Sequence, residues 1–123
     1  MKTGKVWGST ELLIATPLIE VHLLTIRPNA RCSLHCHRSK WNAFFVQSGL
    51  LKIEVHKNDY ALVDVTELGP SEFTTVAPGE FHRFLTGDDP VTAIEIYYPA
   101  ALAEDIVRKD VGALLHAQGS DQQ

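Results

Sequence analysis

Hydrophobic and polar positions alternate along this chain in short runs, with glycine or proline standing between most of them. The clearest run is 51–56, where Leu51, Ile53 and Val55 alternate with Lys52, Glu54 and His56, so that one face is buried and the other wet. Further segments of strand character are 12–15, 19–26, 31–37, 43–46, 60–68, 73–76, 82–85 and 91–98. Turn chemistry separates them at Pro28-Asn29, Ser48-Gly49, Lys57-Asn58-Asp59, Gly69-Pro70, Pro78-Gly79 and Gly87-Asp88-Asp89-Pro90. Many short strands at close spacing predict an all-β sandwich or barrel. Beyond Pro99 the period changes. Leu102, Ile106, Val107, Leu114 and Leu115 recur at helical spacing, with Glu104 and Asp105 early in the run. A short amphipathic C-terminal helix over 101–116 is therefore expected, weakened midway by Gly112.

Composition narrows the class. The chain has 123 residues, enough for a single domain over 1–123 with a barrel core at about 19–99. Apolar residues make up 45% and charged residues 21%, the balance of a globular protein with its own core. The net charge of −4, with no basic run, argues against a nucleic-acid partner. No apolar stretch approaches the roughly 18 residues of a membrane span. The first eleven residues lack the pattern of an export signal, so a cytoplasmic location is expected. Cys32 and Cys36, placed in one strand, would lie about 13 Å apart, too far for a disulfide, and read as small buried hydrophobes.

Chemistry concentrates in the histidines. His35 and His37 are two apart in an expected strand, so their side chains leave the same face about 7 Å apart along the backbone. Two such imidazoles can converge on one metal ion with bonds of roughly 2.0–2.2 Å. A third, His82, follows the Pro78-Gly79 turn and would arrive from a different strand. His22, His56 and His116 carry no partner pattern and are expected at the surface.

His35-Cys36-His37, followed by Asn42 and then Gly49, resembles the first cupin motif; Pro78-Gly79-Glu80-Phe81-His82 resembles the second, with its proline one place later. The resemblance runs from about Ile26 to Pro99 and implies a double-stranded β-helix, a small jelly-roll barrel with a divalent metal inside. Ligands would be His35, His37 and His82, with Asn42 where the motif has glutamate; the metal could be zinc, nickel, iron or manganese. An amide oxygen is neutral, so such a site lacks one negative charge. His37-Arg38-Ser39, the stretch from Gly79 to Arg83, Ile94-Glu95-Ile96 and the stretch from Glu104 to Arg108 are similar to the C-terminal domain of type II mannose-6-phosphate isomerases. Those are often fused to a guanylyltransferase, whose chemistry is not expected of these 123 residues.

The resemblance implies a metal-binding cupin that acts on or binds a small polar molecule, such as the substrate of a sugar phosphate isomerase or epimerase. Two alternatives stay open: an iron-dependent dioxygenase, and a ligand-binding cupin that has lost its metal. Arg38, Lys40 and Arg83 flank the histidines and form either a cationic rim for a phosphate or carboxylate, or ordinary surface charge. Trp41 is a pocket wall or a loop-packing residue, and Phe44 shares the face of Asn42. On 91–98, Ala93, Glu95 and Tyr97 share one face and Ile94, Ile96 and Tyr98 the other, and either could point inward. No residue stands out as a general base; Glu80 and Glu95 are the nearest carboxylates in sequence. The apolar outer faces, with Cys32, Leu34 and Cys36 on one of them, exceed what one short helix can cover, so a homodimer is expected.

Overall fold

The computed structural model describes residues 1–57, 61–99 and 107–115. Among the described residues there are nine strands, β1 (Lys2–Lys5), β2 (Gly8–Ala15), β3 (Glu20–Ile26), β4 (Trp41–Ser48), β5 (Leu51–Lys57), β6 (Leu62–Leu68), β7 (Phe73–Val76), β8 (Phe81–Thr86) and β9 (Val91–Tyr98). They form two antiparallel sheets, one ordered β1-β2-β3-β9-β4-β7 and the other β6-β5-β8. The sheets share one apolar core. Leu24 and Ile26 from β3, Phe44 and Val46 from β4, and Val91 and Ala93 from β9 pack against Leu51 and Ile53 of β5 and Phe84 of β8. In β4 and β9 the inward residues alternate strictly with the outward ones, as a two-residue period requires.

Gly49 makes the β4–β5 turn possible. Its φ of 87° suits glycine, and a Cβ there would sit 2.4 Å from the Pro90 carbonyl oxygen. Gly79, at φ 83°, turns the chain into β8. Among the described residues, no helix is long and apolar enough to cross a membrane.

Three points differ from the reading of the sequence. The hairpin of β1 and the first half of β2 is not among the expected strand segments, because its polar residues carry no strand signal. Segment 31–37 is not a regular strand. It touches β8 through two isolated bridges, Arg31 with Leu85 and His35 with His82. Four residues on one side span three on the other, so one extra residue bulges between the bridges and the alternation fails there. Cys32 is consequently buried in the core rather than set on an outer face with Leu34 and Cys36, and burial pushes its thiol up to about 11. Third, residues 107–115 contain no helix, and the remainder of the expected 101–116 helix lies outside the described residues. Several large apolar side chains are exposed, among them Leu12, Leu13 and Ile14 on β2 and Leu62, Val63 and Val65 on β6.

Candidate metal centre

The Gly79 turn and the His35–His82 bridge bring the three histidines together. The Gly79 N–H donates to the His37 carbonyl at 2.7 Å, which ties the β8 entry to the segment carrying His35 and His37. Glu80 braces the same turn, its carboxylate accepting from the Ala77 N–H at 2.9 Å and from Lys57 Nζ at 2.6 Å. The two strands exchange backbone bonds at the ligand level, His35 N–H to His82 O at 3.1 Å and His82 N–H to His35 O at 2.8 Å. Ring centroids stand 5.1 Å apart for His35 and His37, 4.7 Å for His35 and His82, and 5.6 Å for His37 and His82. One ring nitrogen from each lies within 4.8 Å of the others. Two nitrogens on one ion are at most about 4.2 Å apart with bonds of about 2.1 Å, so the rings must draw in slightly to share one.

The hydrogen bonds leave the right atoms free. His35 Nδ1 donates to the Ser33 carbonyl at 2.7 Å and His82 Nδ1 to the Glu80 carbonyl at 3.0 Å. Carbonyl oxygens only accept, so each Nδ1 carries the proton and each Nε2 is a lone pair, the arrangement of outer-shell groups around a metal-binding histidine. His82 Nε2 then faces Asn42 Oδ1 at 3.0 Å, two acceptors with no hydrogen between them. The Asn42 amide nitrogen faces the Ile96 carbonyl at 3.4 Å and lies beside Glu95, so turning the amide over would set its oxygen against that carbonyl. A second proton on His82 is disfavoured, chiefly by burial. A cation between the two atoms satisfies both. His37 Nε2 is buried with no partner at all. Burial, with His35 and His82 close by, holds the His37 imidazole down at about 4. Neutral imidazoles with bare nitrogens and an amide oxygen fit a borderline divalent ion such as zinc.

Beside this cluster, a cavity of about 370 Å³ opens between the sheets. Glu95 is 8% exposed on its wall, its carboxyl hydrogen-bonded by Tyr97 and Asn42. The burial alternation along β9 points Ala93, Glu95 and Tyr97 inward, and burial raises the Glu95 pKa. Tyr97 is itself pushed up by burial and by the Glu95 carboxyl, and it lies edge-on to His37 at 4.9 Å. Lys40 reaches the rim, with its ammonium 4.5 Å from the centre of the Tyr97 ring.

Of the other residues expected around the site, Phe44 packs under His82 at 6.2 Å and is fully buried. Trp41 points away from the cavity and stacks on Tyr98 at 6.5 Å. Arg83 also turns away, since it alternates with His82; its Nε donates to Glu54 at 2.8 Å on the outer face. Arg38 is exposed and does not line the cavity. Of the three cations weighed as a rim, Lys40 alone lines the cavity, with Lys5 from the β1 end joining it, and Arg38 and Arg83 are surface charge. Glu80 holds the turn rather than facing the cavity. His22, expected at the surface, lines the cavity together with Glu20 and Thr10. The signal was present in the even-numbered row Glu20, His22, Leu24, Ile26, but apolar Val21 and Leu23 between them concealed which row faced inward. His56 is half-buried against Glu54, and His116 lies outside the described residues.

The sequence model of the family described as "Mannose-6-phosphate isomerase C-terminal" matches residues 1–110. No curated protein matches the chain. Among solved structures, the capsular polysaccharide assembling protein CapF from Staphylococcus aureus superposes with a TM-score of 0.73 at 20% identity. That match covers 81% of this chain but 29% of CapF, so the chain corresponds to less than a third of that protein. KdgF from Halomonas sp. gives a TM-score of 0.64 at 14% identity, covering 76% of this chain and 79% of its own. The Schizosaccharomyces pombe Cnp3 cupin domain gives 0.66 at 11% identity, covering 75% and 64%. At these identities the likeness establishes the fold, which is that of a cupin.

Proposed function

The chain belongs to the mannose-6-phosphate isomerase C-terminal family, and from that premise we propose that it is a divalent-metal cupin acting on a small anionic sugar derivative, with sugar phosphate isomerisation as its reaction. The observation that carries the reading is the meeting of three bare imidazole nitrogens and the Asn42 oxygen at the edge of a cavity that also holds a buried carboxylate. CapF, of which the match covers 29%, is described as a capsular polysaccharide assembling protein, and that description is in keeping with a sugar-derived ligand. His35, His37 and His82 would hold the ion, with Asn42 as the fourth donor. Bound there, a divalent cation supplies Lewis-acid stabilisation for negative charge developing on substrate oxygens.

The chain's own residues supply the rest. Lys40 and Lys5 at the rim attract and orient a phosphate or carboxylate group. Glu95 is the carboxylate on the cavity wall, and in this reading it carries a proton from one carbon to its neighbour. Tyr97 and Asn42 fix its orientation.

Elemental analysis of the purified protein, followed by incubation with mannose 6-phosphate under an oxygen electrode, tests the reading. Stoichiometric metal with fructose 6-phosphate formation and no oxygen uptake supports it. Oxygen consumption by an iron-loaded protein would replace it with the dioxygenase alternative. Thermal stabilisation by sugar phosphates without product would replace it with the binding module. The exposed apolar faces of β2 and β6 support a homodimer as well, and a monomeric mass by light scattering at micromolar concentration would overturn that part.

A further inference from the structure

The sequence Glu-x-His occurs three times, and in two cases, Glu20 with His22 on β3 and Glu54 with His56 on β5, both residues lie on one strand. In both, the imidazole Nε2 reaches the glutamate Oε1, at 2.9 Å and 3.2 Å. Their surroundings differ. Glu54 is spent on the outer face, where it also accepts from Arg83. Glu20 and His22 face the cavity beside the three-histidine cluster.

The first pair is built for moving protons. A carboxylate only accepts, so Nε2 carries the hydrogen and Nδ1 is left as a lone pair. Nδ1 has one partner, the Thr10 hydroxyl at 3.4 Å, at the outer limit of a hydrogen bond and so readily exchanged for a substrate hydroxyl. Thr10, His22 and Glu20 thus form a row of hydroxyl, imidazole and carboxylate along one wall. The β3–β9 register sets His22 opposite Glu95 and Glu20 opposite Tyr97, and the His22 ring lies edge-on to Tyr97 at 5.7 Å. Lys40 and Lys5 are the cations lining the same space.

We propose that His22 is a second proton-handling group of the cavity, serving the substrate's oxygens while Glu95 serves its carbons. The proposal rests on the isomerase reading for its reaction. Converting an aldose to a ketose moves one hydrogen from C2 to C1 and another from the C2 hydroxyl to the C1 oxygen. Glu95 takes the first as a proton from C2 and returns it to C1. His22 takes the second at Nδ1 and returns it to the C1 oxygen, with Glu20 stabilising the transient imidazolium. The C1–O double bond becomes single, the C2–O bond becomes double, and both residues end as they began.

Two measurements on the zinc-loaded full chain decide it, with mannose 6-phosphate as the probe. In ¹⁵N-histidine spectra, His22 should show a protonated Nε2 and a bare Nδ1 that shifts when the probe is added, while His56 stays unmoved. A His22 signal indifferent to the probe overturns the proposal, whether or not turnover is seen. In deuterated water, H22Q should exchange the C2 hydrogen of recovered mannose 6-phosphate within a few-fold of wild type, yet form product at least about 100-fold more slowly. It should also retain zinc stoichiometry and melting midpoint. Wild-type turnover from H22Q overturns the proposal, and H56Q provides the matched control. Absence of turnover in the wild type counts against the isomerase reading, and the spectra then still decide whether His22 meets the ligand.

Discussion

The two ends of the barrel are made from the same strands and the same inward faces, yet they do opposite work. Along β3 the inner row runs Glu20, His22, Leu24, Ile26; along β9 it runs Tyr97, Glu95, Ala93, Val91. Register aligns these rows so that Glu20 meets Tyr97, His22 meets Glu95, Leu24 meets Ala93 and Ile26 meets Val91. On the other side of β9, Asn42 meets Tyr97 and Val46 meets Ala93. β8 makes the same change in one step, from His82 to Phe84. Polar side chains therefore gather at one level and apolar ones at the next. One end supplies the area removed from water that holds the sheets together. The other collects groups whose burial costs free energy unless something binds to them.

The largest effect should come from the apolar end. Ile53→Ala removes a fully buried side chain of the shared core and is expected to cost about 2–5 kcal/mol in chemical denaturation. Metal stoichiometry of the folded fraction should stay unchanged. Loss of metal with little loss of stability would mean that the two ends are not separable.

The converse substitution, His37→Ala, should cost little folding free energy, about 1 kcal/mol or less, because in the metal-free protein its buried Nε2 has no partner to lose. Zinc affinity measured by chelator competition should fall by more than the roughly 10–100-fold that outer-shell partners cost. An H37A protein that unfolds instead would make the histidine cluster a structural element.

This division explains which parts the sequence disclosed. Alternation in 51–56 was plain because Leu51, Ile53 and Val55 face one way and charged or polar residues the other. His35, His37 and His82 were legible because their spacing carries its own chemistry, and the structure draws all three to one point. His22 was hidden by apolar neighbours on both sides, and its role in the cavity follows from strand register, which one strand's sequence does not contain. The inward turn of Cys32 was hidden for a different reason, a one-residue bulge that breaks parity. Arg83 and Trp41 flank ligand positions in sequence but alternate to the outside, which selects the surface and packing alternatives that the sequence left open for them.

A smaller effect should appear with pH in the metal-free protein. His37 is held neutral in the fold, down to about 4, against 6.5 for a free side chain. His82 is lowered too, first by burial. As pH falls below about 6.5, the unfolded chain takes up protons that these imidazoles refuse, so their contribution to stability rises with pH across this window. The buried Glu95 carboxyl has the opposite slope, since it is raised and holds a proton the unfolded chain releases. The imidazole contribution is complete above 6.5 and is lost progressively toward 4, and the difference between wild type and H37A isolates it. That difference in melting midpoint, followed from pH 7.5 to 4.5, should show the imidazole slope. The acidic pairs act in a lower window: Glu80, bonded by Lys57, and Glu54, bonded by Arg83, are both lowered, so their contribution disappears only below the ordinary carboxylate range. A difference flat from 6.5 to 4.5 would show that the imidazoles are not desolvated.

The smallest effect should come from Arg83, and it separates the inside of the barrel from the outside most sharply. Arg83 is the immediate neighbour of His82, but its Nε donates to Glu54 Oε1 at 2.8 Å, where His56 Nε2 also arrives at 3.2 Å. Such a pair at the water boundary gains modest Coulomb energy and spends side-chain entropy to hold its geometry, which leaves less than about 1 kcal/mol. Arg83→Gln should therefore shift the melting midpoint only slightly, and added salt should shrink the difference further. A double-mutant cycle with Glu54→Gln should recover the coupling, because the two residues touch. Zinc affinity and binding of mannose 6-phosphate should be unchanged, since the guanidinium lies on the other face of β8 from the His82 imidazole. A tenfold or greater loss of sugar phosphate affinity in R83Q would place this outer face in the site and dissolve the distinction on which the two ends of the barrel were separated.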